Sequence, residues 1–119
     1  MKNIQSEIMM MIFDELSEFS KEFKWLLKKY KSLLDDLDEF KKVLSVVPRG
    51  NSKHFNVITK TDQYVILKAR FFCRYLKGSS FRIIYSFDCQ NNKIDFIELY
   101  LKSEKENEDH DRIKKYLKK

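Results

Sequence analysis

Between residues 64 and 74 two kinds of side chain alternate: Val65, Leu67, Ala69, Phe71 and Cys73 in one register, and Tyr64, Ile66, Lys68, Arg70, Phe72 and Arg74 in the other. A period of two puts the sets on opposite faces of a β-strand. The first face is core, and the second carries the cations. Earlier in the chain the period is different. Leu16, Phe19, Phe23, Leu26, Leu27 and Tyr30 recur at spacings of three and four, the stripe of an amphipathic helix with Ser17 as its expected N-cap. Leu33, Leu37, Phe40, Leu44 and Val47 form a second stripe. Ser32 and Asp35 stand at its start like a capping box, and Pro48 and Gly50 end it. Asp35, Asp36, Asp38 and Glu39 load its first turns with the charge that a helix dipole favours there. So short a connection predicts an antiparallel helix hairpin. Ahead of it, residues 8–14 read as a short buried strand.

The second half reads as strands. Residues 55–60 form one, and Lys77, Gly78 and Ser79 are expected to turn the chain between the next two. In residues 81–88 the apolar register is Phe81, Ile83, Tyr85 and Phe87, which leaves Arg82, Ile84 and Ser86 on the other side. Asn91 and Asn92 turn the chain again. In the last strand Ile97, Leu99 and Leu101 are expected inward, with Phe96, Glu98, Tyr100 and Lys102 outward. Ile113, Tyr116 and Leu117 are spaced for a short terminal helix within a charged run. The predicted architecture is α+β: an N-terminal strand and a helix hairpin packed on one face of a twisted, mainly antiparallel sheet, with a short C-terminal helix. The other sheet face is expected to stay open.

Composition narrows the function classes. With 119 residues, 43% hydrophobic and 35% charged, the chain suits one globular domain, 1–119. Residues 1–8 are polar and stand before Met9, Met10 and Met11, so they are expected to be a disordered or non-native extension. The longest apolar run, Ile8 to Phe13, falls far short of the roughly 20 residues that span a bilayer. Glu7, Asp14, Glu15, Glu18 and Glu22 do not suit a signal peptide, so a cytoplasmic protein with no membrane partner is expected. Two cysteines without CxxC spacing and two histidines give no plausible metal set. Cys73 reads as a small buried hydrophobe and Cys89 as a loop thiol. The net charge of +6 favours a polyanionic partner.

That charge is concentrated. Residues 64–87 contain Lys68, Arg70, Arg74, Lys77 and Arg82 and no acid. Gathered on one sheet face, these cations repel one another, and Glu98 is the one acid available there to interleave with them. A solvated polar face is the bland explanation. The sharper one is a phosphate-binding surface with aromatic side chains placed to stack on bases.

The ordered set "LKAR", "GSSFRIIYSF" and "IDFIELYLKSEKEN", after "FSKEFKWLLKKY" in the first helix, resembles the RelE/ParE superfamily of toxins from bacterial toxin–antitoxin pairs. The resemblance runs from Met11 to Leu117. Its RelE branch implies a ribonuclease that enters the ribosomal 30S A site and cuts mRNA without a metal or other cofactor. The ribose 2′-hydroxyl attacks the adjacent phosphorus and leaves a 2′,3′-cyclic phosphate. By that resemblance Lys68 and Arg70 match the strand-borne basic pair, and Arg82 the arginine on the scissile phosphate. Lys68 would act as base if neighbouring Arg70 and Arg82 depress its pKa, and Glu98 is a second candidate. His110 is a candidate general acid. Arg74, Lys77, Tyr100, Lys102 and Lys105 are expected to contact RNA. The match is incomplete, because Ile66 stands where some members have a second lysine. The alternatives are therefore a ParE-like gyrase poison and a catalytically inactive module that binds its antitoxin. In every case the implied partner is a separate antitoxin polypeptide.

Overall fold

The computed structural model describes residues 10–76 and 80–118. The elements are β1 (Ile12–Glu15), α1 (Ser17–Leu27), α2 (Leu33–Val46), β2 (Phe55–Lys60), β3 (Tyr64–Phe71), β4 (Phe81–Asp88), β5 (Lys93–Leu101) and α3 (His110–Leu117). The five strands make one sheet in the order β1-β5-β4-β3-β2. Neighbours from β2 to β5 pair antiparallel, while β1 adds to β5 in parallel. The expected extension at residues 1–8 and the turn at Lys77, Gly78 and Ser79 lie outside the described residues.

The helix hairpin buries its stripe on one sheet face, as the spacing predicts. Phe19 stacks on Phe96 at 5.4 Å between ring centroids, and Tyr30 meets Phe81 edge-on at 5.3 Å. Phe40 meets Phe71 at 5.5 Å and Tyr85 at 6.1 Å. Each large apolar side chain buried this way is worth about 1.5–3 kcal/mol. The caps differ from expectation. Leu16, not Ser17, is the N-cap of α1, and no side chain caps that end. Ser32 does stand at the N-cap of α2, but its hydroxyl donates to Asp36 Oδ2 at 2.6 Å instead of accepting from the backbone. After α2 the chain turns at Gly50, whose φ is 73°. A Cβ there would sit 2.1 Å from the Phe55 ring, so the turn needs glycine both for its backbone and for space.

Two expectations about the sheet are corrected. In β5 the pairing register shifts between Ile84 and Tyr85, so that Ile84 faces Glu98 while Tyr85 faces Phe96. Ile97 is the extra residue of a bulge. Phe96 therefore joins the main core, and Ile97 points to the opposite face with Glu98 and Tyr100. That opposite face is also not left open. Ile66, Ile84, Ile97 and Tyr100 form a second buried cluster with Ile113 and Tyr116 of α3. The physical reason is that apolar side chains interleaved with the cations needed a cover. An eight-residue helix is too short to persist alone, so docking is what keeps α3 helical.

α3 is fastened by polar contacts as well. Asp109 caps it by accepting from the Arg112 backbone N–H, and Tyr116 donates to Asp95 Oδ2 at 2.6 Å. Burial, followed by the bond to Asp95, pushes the Tyr116 hydroxyl well above the ordinary tyrosine range. Arg112 reaches across to α1, donating to both carboxylate oxygens of Glu22 at 3.0 and 2.7 Å. The same guanidinium donates to the Ile97 carbonyl at 2.7 Å, and Glu22 accepts the Leu99 N–H at 3.1 Å. Because β1 ends at Glu15, this part of β5 has no strand on the side away from β4, and the Glu22–Arg112 pair takes up backbone groups there. Among the described residues no helix is long and apolar enough to cross a membrane.

Candidate functional site

What α3 leaves uncovered is the end of the second face where β2, β3 and β4 run side by side. Asn56 of β2 lies across from Lys68 of β3, and Arg70 of β3 lies directly across from Arg82 of β4. The chain just before β2 adds Lys53 and His54, tied to β3 by the Arg70 N–H donating to the His54 carbonyl at 3.0 Å. These six residues line an open cleft of ≈ 270 Å³. No acid is among them. Like charges directly across a ladder are unfavourable, so two opposed arginines make a site prepared for an anion.

Each arginine is steered by a neighbour that leaves its charge unopposed. Arg82 donates to Ser80 Oγ at 2.6 Å, and the Arg70 guanidinium lies over the Phe72 ring at 5.9 Å. Lys68 is different. Its ammonium donates to Glu108 Oε1 at 2.9 Å, and the other oxygen of Glu108 is 3.4 Å from His110 Nε2. Burial works against charge on Glu108, but Lys68 and His110 prevail and hold its carboxyl below the usual carboxylate range. Lys68, Glu108 and His110 thus join the cleft to the start of α3.

The remaining candidates fall elsewhere. Glu98 is 1% exposed, bound by the Lys105 ammonium, and accepts the Asp109 N–H at 2.8 Å. It braces the segment before α3 and does not line the cleft. Tyr100 lies across from Arg82 but is buried, with the Lys105 ammonium 5.4 Å above its ring and no hydrogen-bond partner for its hydroxyl among the described residues. Burial, followed by the charges of Glu108 and Glu98, pushes that hydroxyl up to about 12. Lys102 is exposed and donates to the Glu106 carbonyl. Arg74 was expected on the cationic face, and the structure corrects this. β3 ends at Phe71, so the alternation no longer assigns a face. Arg74 turns toward the acidic start of α2, its backbone N–H donating to Asp36 and its guanidinium 4.0 Å from Asp35. Lys77 lies outside the described residues.

Four residues of the site carried no signal in the sequence. Lys53, His54 and Glu108 stand in irregular segments where no period applies, and Asn56 belongs to a strand whose alternation is weak. Among the described residues no group of three or more His, Cys, Asp or Glu side chains is placed to hold a metal ion.

No protein-family model and no curated protein matches the chain. Among solved structures, a chain of the archaeal RelE–RelB complex from Pyrococcus horikoshii OT3 superimposes with a TM-score of 0.62 at 18% identity. The match covers 82% of this chain and 100% of that one. This is a RelE-like fold. Three helices, the last of them short, and a five-stranded mixed sheet are consistent with it.

Proposed function

We propose that the chain is the toxin of a toxin–antitoxin pair and acts as a ribosome-dependent mRNA endonuclease of the RelE kind. The observation that carries this reading is the acid-free cleft, in which Arg70 and Arg82 oppose each other and Lys53, His54, Asn56 and Lys68 complete the lining. Such a lining fits one phosphodiester. The two guanidinium groups take the non-bridging oxygens and hold the extra negative charge of the phosphorane. Cations stationed there before substrate arrives need no reorganisation as the charge develops. Phe72, 62% exposed beside Arg70, offers a ring for a base to stack on. The structural neighbour comes from a RelE–RelB complex, and by analogy this chain binds a separate antitoxin polypeptide. An acidic or amphipathic segment of that partner would cover the cleft or displace α3.

The decisive experiment adds purified protein to ribosomes programmed with a defined message and maps the 3′ ends. Cleavage on the ribosome, with a 2′,3′-cyclic phosphate at the cut, is the expected result. An intact message overturns the reading, and growth arrest in which DNA synthesis stops first moves the chain to the gyrase-directed branch of the fold.

A further inference from the structure

The cleft contains one imidazole, and its engagement differs from that of every other candidate proton carrier. The Lys68 ammonium is bound to Glu108, and that carboxylate also faces His110. Glu98 is buried beneath Lys105 and the Asp109 N–H. The His54 side chain has no hydrogen-bond or ion-pair partner among the described residues, and its place is set by its backbone and by one aromatic contact. Its backbone is anchored through the carbonyl to the Arg70 N–H and through its own N–H to Ser52 Oγ at 3.2 Å. Its ring meets Phe72 edge-on at 5.6 Å, the same ring that underlies the Arg70 guanidinium. The other charged groups of the lining are Lys53, next to it in the chain, and Lys68, Arg70 and Arg82, with Glu108 and His110 behind Lys68. An imidazole with free nitrogens beside paired arginines is an arrangement that can serve RNA cleavage by internal attack.

We infer that His54 is the general base of the reaction proposed above, on which this inference rests. An imidazole nitrogen of His54 takes the proton of the ribose 2′-hydroxyl. The oxygen's electron pair forms the bond to phosphorus, and the phosphorus–5′-oxygen bond breaks. The 5′-oxygen takes a proton from the Lys68 ammonium, which its bond to Glu108 holds at the cleft. The products are a 2′,3′-cyclic phosphate and a 5′-hydroxyl. The imidazolium and the lysine amine then return to their starting states by proton exchange with water.

The test is single-turnover cleavage of a ribosome-bound message across pH by the wild type, His54→Ala, His54→Gln and Lys68→Ala. His54→Ala is expected to lose about 10²–10⁴ in rate, the usual worth of a positioned base. The wild-type rate should rise with pH, and both His54 variants should lose that rise. Free imidazole in the buffer should restore part of the His54→Ala activity, which it cannot do for a purely structural defect. With a sulfur in place of the 5′-oxygen the leaving group needs no proton, so Lys68→Ala should recover and His54→Ala should not. Three results overturn the inference: His54→Ala cleaving as the wild type does, a deficient variant that keeps the wild-type pH profile and ignores imidazole, or rescue of His54→Ala by the sulfur substrate. In all three the wild type still cleaves and the functional reading stands. A wild type that does not cleave overturns both.

Discussion

At the scale of single residues, the cleft and the turn at Gly50 illustrate opposite uses of local strain. Gly50 is required because the backbone is left-handed and the Phe55 ring fills the space beside it. Gly50→Ala is expected to cost at least roughly 1–2 kcal/mol from the backbone alone, read as a lower denaturant midpoint. Arg82 works the other way. Set across from Arg70, it costs a few tenths of a kcal/mol of repulsion that Arg82→Ala would relieve. That variant should keep or slightly raise the melting temperature while losing about 10²–10³ in cleavage rate, some 2.7–4 kcal/mol of transition-state stabilisation. Equal cleavage by folded Arg82→Ala would remove it from the site. Lys68, Arg70 and Arg82 were legible in the sequence because strict alternation assigns a face. His54 and Glu108 were not, because loop residues have no period and their placement depends on contacts far away along the chain.

At the scale of elements, α3 is held by its apolar face and, at its start, by carboxylates. The Glu108 and Asp109 carboxyls both lie below the usual range, Asp109 chiefly because it accepts the Arg112 N–H. A folded value below the unfolded one means that stability is present above the unfolded value and drains away as pH falls through the folded value. α3 should therefore undock in acid, below about pH 4, ahead of the central strands. Hydrogen exchange in α3, compared with β3 and β4 as pH is lowered, checks this, and Glu108→Gln should flatten the dependence. Simultaneous loss of protection throughout would show that α3 is no separate unit. The helix itself could be seen in the spacing of Ile113, Tyr116 and Leu117. Its seat could not, because the Ile97 bulge moves residues between faces, and nothing in the pattern of β5 marks where the register slips.

At the scale of the molecule, four of the chain's 24 basic side chains, Lys53, Lys68, Arg70 and Arg82, gather around the cleft with no acid in its lining. Binding to single-stranded RNA should weaken steeply with salt, and each phosphate contact removed should lower the slope of log K against log salt by about 0.7. Arg82→Ala and Arg70→Ala are expected to do so, and Arg74→Ala, turned toward Asp35, is not. Equal slopes for all three variants would place the binding surface elsewhere. The layered architecture followed from periodicity alone. Which strands lie at the edges did not, because strand order is set by long-range pairing that no local pattern encodes.

One such edge governs how this protein behaves in a crowd of its own copies. Beyond Glu15 the flank of β5 would display free backbone donors and acceptors if Glu22 and Arg112 did not occupy them. Bare strand flanks of this kind template the addition of further strands from other molecules. The ion pair thus serves as a stopper against polymerisation, supplied by residues 90 positions apart in the chain. A Glu22→Ala, Arg112→Ala double variant is expected to become increasingly turbid with concentration at temperatures where the wild type stays clear. A double variant that remains monodisperse by light scattering would show that another part of the molecule guards this flank.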